Sequence, residues 1–106
     1  MTAPKTIESQ IEDALVASAE GHRCPVWIAS SEMVRWASAT FIGARLRLTV
    51  MGEPNANLDA WIAMLPEAEW ALVGHMVADL VVNKVTRNAG ATSVELEILT
   101  VKERDQ

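Results

Sequence analysis

The sequence predicts an α+β fold of two layers: an antiparallel sheet of three to four strands with two helices packed on one face. Three observations predict it. Between Trp36 and Met51, the residues Ile42, Leu46, Leu48 and Val50 share one parity, and Arg45, Arg47 and Thr49 share the other. Period-two alternation marks a strand with one face packed and the other wet. Leu58, Trp61, Ile62 and Leu65 fall at the i, i+3, i+4, i+7 positions of an amphipathic helix. Finally, Val94, Leu96 and Ile98 alternate with Ser93, Glu95 and Glu97. The order helix, long strand, helix, strand, strand then favours antiparallel pairing with the helices on one side.

Taken in order, Thr6 can cap a first helix running to about Ala19, with Glu8, Glu12 and Asp13 early, where the helix dipole favours acids. Ile7, Ile11, Ala14, Leu15 and Ser18 form its narrow inward stripe, and Gly21 is placed to end it. From His22 to Arg35 the chain reads as a strand or loop, carrying the apolar triplet Val26-Trp27-Ile28 after Pro25. Trp36 to Met51 reads as one long strand with a break at Gly43. Gly52-Glu53-Pro54-Asn55 interrupts it. Asn57 can cap a second helix from Leu58 to about Leu65, limited by Pro66.

Trp70 to Arg87 reads as a second long strand, interrupted near Gly74. Its nearly continuous apolar run, Val77 to Val82, is what a central strand shows. Asn88-Ala89-Gly90 offers a hairpin turn into a last strand from Thr92 to Lys102. Two registers compete there. A three-residue loop pairs Val82 with Leu96 and Leu80 with Ile98, whereas a two-residue loop pairs Lys84 with Glu95 and Val85 with Val94. The first is preferred, because two buried apolar pairs outweigh one exposed ion pair worth well under about 1 kcal/mol. The core is then expected to contain Trp61, Ile62, Leu65, Leu46, Leu48, Leu96 and Ile98. Residues 1–5 and 103–106 read as loose ends of a single domain spanning 1–106. Beyond the recurrence of tryptophan there is no evident internal repeat.

A chain of 106 residues, half of them apolar, is one domain able to build a core without disulfides or metals. The net charge of −5 argues against general nucleic-acid binding, which needs a basic footprint. A single cysteine, Cys24, cannot form an internal disulfide and fits a reducing compartment. Met1 to Gln10 has no apolar signal core, and no apolar run approaches a membrane span. A soluble, cytoplasmic protein with no nucleic-acid or membrane partner is the expectation.

Candidate chemistry is sparse. His75 and Asp79 are four apart, and on a regular strand even spacing puts both on one face, where the carboxylate could orient the imidazole as a general base. Apolar neighbours would raise the Asp79 pKa by desolvation. The plainer reading is that Gly74 disrupts the strand at His75 and that Asp79 meets a backbone or arginine partner. His22 and Cys24, joined in space by His75, would make only a minimal metal or thiol set with no CxxC, and Cys24 reads more simply as a small buried hydrophobe. Arg45 and Arg47 form a polar stripe able to hold a carboxylate or phosphate, or to pair with Glu95 and Glu97 of the last strand. No glycine-rich phosphate loop and no nucleophile elbow is present, so no cofactor or metal is expected.

Trp36-Ala37-Ser38-Ala39-Thr40-Phe41 with Gly43-Ala44-Arg45, then Gly74-His75 with Val77-Ala78-Asp79-Leu80, and the ending Leu99-Thr100-Val101, resemble small uncharacterised proteins of alphaproteobacteria. The resemblance spans roughly Arg35 to the C-terminus and implies no activity. The Ala, Val, Arg and Trp usage suits a GC-rich bacterial or phage genome, so a phage virion component is one reading. The leading expectation is a non-enzymatic binding or assembly domain forming a homodimer, by sheet extension or by face packing. The alternative is a small enzyme or ligand-binding protein whose pocket, between helices and sheet, uses Asp79 and His75.

Overall fold

The structure, a computed structural model, describes residues 6–103. Helix α1 (Ile7–Gly21) leads into strands β1 (Val26–Ala37) and β2 (Ile42–Gly52); helix α2 (Ala56–Met64) and a 3-10 turn (Leu65–Glu67) precede β3 (His75–Arg87) and β4 (Thr92–Lys102). All pairings are antiparallel, in the order β1-β2-β4-β3. This is the expected two-layer α+β fold. The loose ends expected at 1–5 and 103–106 lie outside the described residues except Glu103, whose backbone N–H donates to the Gly74 carbonyl at 2.9 Å.

The helices start as their caps dictate. The Thr6 hydroxyl accepts from Ser9 N–H at 3.1 Å, and the Asn55 side chain, two residues before the expected Asn57, accepts from Leu58 N–H at 2.8 Å. Gly21 does not end α1 by taking a left-handed turn. It is the last helical residue, and the positive φ of 59° falls on Arg23.

The sheet departs from the sequence reading in three places. Trp36 to Met51 is not one strand: Ser38–Phe41 turns the chain, and the Ser38 hydroxyl accepts the Phe41 N–H at 3.0 Å. A local side-chain bond of this kind gives the backbone an alternative to the ladder. Gly43 lies inside β2, where an added Cβ would run into the Thr100 carbonyl and approach the Trp36 ring to 2.8 Å. Secondly, Trp70 to Gly74 is not strand. The Gln10 amide clamps Val73, accepting its N–H at 2.7 Å and donating to its carbonyl at 3.1 Å.

The third departure is that β3 is an edge strand, with Val81 41% exposed. Its apolar run follows from two register shifts, between Val77 and Asp79 and between Val82 and Lys84. These bulges set Val77, Leu80, Val82 and Val85 all opposite inward residues of β4. The turn itself closes in the two-residue register, with Arg87 opposite Thr92 and Asn88 N–H on Ala91 O, so the preferred three-residue loop does not form, although its two apolar pairs do. Leu80 pairs with Ile98 and Val82 with Leu96 before the shift at Asn83, and Lys84 pairs with Glu95 and Val85 with Val94 after it. A bulge removes the exclusivity of a slip, because the extra residue absorbs the change of parity.

One core lies between the helices and one sheet face. Every residue expected in it is buried, Trp61 completely, and the Trp61 indole N–H donates to Ser18 Oγ of α1 at 3.0 Å. Ile7, Ile11, Leu15 and Ala19 supply the α1 side. The element order is a repeat of α–β–β, which the sequence alone did not reveal. Ala44, Leu46, Leu48 and Val50 of β2 correspond at one constant offset to Val94, Leu96, Ile98 and Thr100 of β4, all buried. The two hairpins close alike, Ser38 N–H on Phe41 O and Asn88 N–H on Ala91 O.

Candidate functional site

Two regions gather the candidate residues, and they lie on opposite sides of the sheet. Arg45 and Arg47 alternate with the buried Leu46 and Leu48, so both point away from the helices. Their Nε atoms lie 3.5 and 3.6 Å from a single Glu97 Oε1, which makes a cross-strand triplet with two cations on one carboxylate. The arginines are 58% and 69% exposed and Glu97 is 28% exposed, so screening by water leaves each pair a small stability effect. Arg45 and Arg47 on β2 occupy the places that Glu95 and Glu97 occupy on β4. The two central strands thus carry opposite charge on the uncovered face. Trp27, Val34, Met76 and Val81 of the edge strands add exposed apolar surface.

His75 and Asp79 are not brought together. His75 pairs with Lys102 and Asp79 with Leu99. Those partners are an odd number of residues apart on a regular strand, so the two side chains stand on opposite faces. The bulge between Val77 and Asp79 is the reason that even spacing misleads. Asp79 is exposed on the outer face, away from any apolar pocket.

His75 instead lines a cavity of about 570 Å³ under the first turn of α1, at the end of the sheet. Each strand contributes to it: Met33, Arg35 and Trp36 from β1, Ile42 and Ala44 from β2, His75 from β3 and Lys102 from β4, with Ile7 and Glu8 from α1. Burial pushes the His75 imidazole below its ordinary value; Lys102 and Arg35 add to the lowering, and Glu103 opposes it. His75 Nδ1 and Trp36 Nε1 are both buried atoms with no hydrogen-bond partner among the described residues. An unsatisfied buried donor such as an indole N–H costs about 1–3 kcal/mol.

Arg35 and Lys102 were not singled out by the sequence. The available signal was parity. Once a bulge between Ile28 and Ser30 is allowed, Ser31, Met33 and Arg35 continue the inward set of Val26 and Ile28.

His22 and Cys24 serve the end of α1. His22 Nδ1 lies 2.9 Å from Ser18 O, and the Cys24 Sγ bonds Ala19 O at 3.4 Å in a fully buried position. Burial pushes the Cys24 thiol up, away from the reactive thiolate. Among the described residues no group of three or more His, Cys, Asp or Glu could hold a metal ion, and no helix is long and apolar enough to cross a membrane. No protein-family model matches the chain, and no curated protein matches it.

Proposed function

We propose that the protein is a non-enzymatic assembly domain that acts as a homodimer through the helix-free face of its sheet. The observation that carries this reading is the opposite charge of the two central strands, Arg45 and Arg47 on β2 against Glu95 and Glu97 on β4. A two-fold axis along the strands, midway between β2 and β4, lays the basic strand of one copy over the acidic strand of the other. That contact is isologous and closes on itself.

Area supports it. Strands of 11 to 13 residues, at about 3.3 Å per residue and about 4.8 Å apart, span roughly 800 Å², the share a standard interface takes from each partner. Face packing is preferred to sheet extension because both edge strands are bulged and carry charges, Glu32 on β1 and Asp79 and Lys84 on β3, the devices that block edge pairing.

Sedimentation tests the reading. The wild type is expected to sediment as a dimer, and Arg45→Glu with Arg47→Glu as a folded monomer. Glu95→Arg with Glu97→Arg is expected to be monomeric too, and mixing the two variants should restore a heterodimer. A wild type that stays monomeric at its highest soluble concentration overturns the proposal, as does a mixture that fails to associate.

A further inference from the structure

We propose that the cavity between the first turn of α1 and the end of the sheet binds a small amphipathic anion, a singly charged carboxylate on a compact apolar body. Arg35 and Lys102 are its charge partners.

Four features of the site converge on this class. The volume of about 570 Å³ lies within the range of small-molecule pockets. Ile7, Met33, Ile42 and Ala44 supply apolar lining, and Arg35, His75 and Lys102 supply polar and basic groups. Glu8 lines the same cavity, and Glu103 lies close enough to act on His75. These acids offset part of the field of Arg35 and Lys102, which favours a monoanion over a doubly charged phosphate. His75, held neutral by burial and by the two cations, can take a proton when an anion arrives. This inference stands apart from the dimer, whose contact surface is the opposite face.

The test uses octanoate as probe, with octanol and octyl phosphate as comparison arms, followed by two-dimensional proton–nitrogen spectra and titration calorimetry. Octanoate is expected to bind saturably and to move the backbone N–H signals of Arg35, Ile42 and Lys102, which line the cavity. Octanol and octyl phosphate are expected to bind at least about tenfold more weakly. Arg35→Met and Lys102→Met change exposed side chains, so both variants should keep the wild-type melt, and each is expected to weaken octanoate about tenfold. Between about pH 8 and about pH 6 the wild-type affinity should rise as His75 becomes protonated in the complex, and His75→Phe should lose that dependence. The proposal is overturned if octanoate shows no saturable binding, if octanol matches it, or if both Met variants bind like the wild type.

Discussion

Trp61 is the side chain on which two elements depend at once. It is completely buried, and its indole bridges α2 to Ser18 on α1. Trp61→Ala should cost about 3–5 kcal/mol, a large part of the total stability of a small domain. Chemical unfolding reads this directly, and a melt near the wild-type temperature would contradict the placement. His75 gives a second prediction at this scale. Its native pKa lies below the ordinary 6.5, so between the two values the unfolded chain holds more protons and stability rises with pH. The contribution is whole above about 6.5 and is lost as pH falls through the lowered native value. Urea unfolding at stepped pH should show this slope in the wild type and its loss in His75→Phe. Trp61 was legible because a short helix with one apolar stripe has nowhere else to put its largest residue. The cavity was not, because it is assembled from the ends of four strands and a helix far apart in sequence.

At the level of elements, the bulges of β3 explain which parts of the sheet could be read in advance. β2 and β4 have regular alternation, and their inward residues were read correctly from parity alone. In β3 the inward residues Val77, Leu80, Val82 and Val85 follow no single period, so the same method turned an edge strand into a central one and put His75 beside Asp79. Deleting Asn83 should therefore be tolerated. The two registers on either side of it would join with Val82 and Val85 still facing the core, and the melting temperature should stay within a few degrees of wild type, since surface changes seldom exceed about 0.5 kcal/mol. Deleting Val81 instead brings Asn83 opposite Leu96 in place of Val82. That variant should lose clearly more stability, and equal melting curves for the two deletions would refute the bulge assignment.

For the whole molecule, the strand order makes β2 and β4 the shared centre and leaves β1 and β3 at the margins. Amides of the two central strands are expected to exchange slowest with deuterated solvent and those of the edges faster. A dimer formed by face packing preserves that ranking, whereas one formed by sheet extension would protect the outward amides of β1 or β3. The α–β–β repeat has a further consequence. Its halves are joined covalently only by the segment Glu53-Pro54-Asn55, yet the β2–β4 ladder, the Trp61–Ser18 bond and the Gln10–Val73 clamp all run from one half to the other. Cleavage between Glu53 and Pro54 should yield two fragments that are each unstructured alone and that fold on mixing. The protein would then be a natural candidate for fragment complementation, with its two pieces reporting on each other's presence by regaining a cooperative melt together.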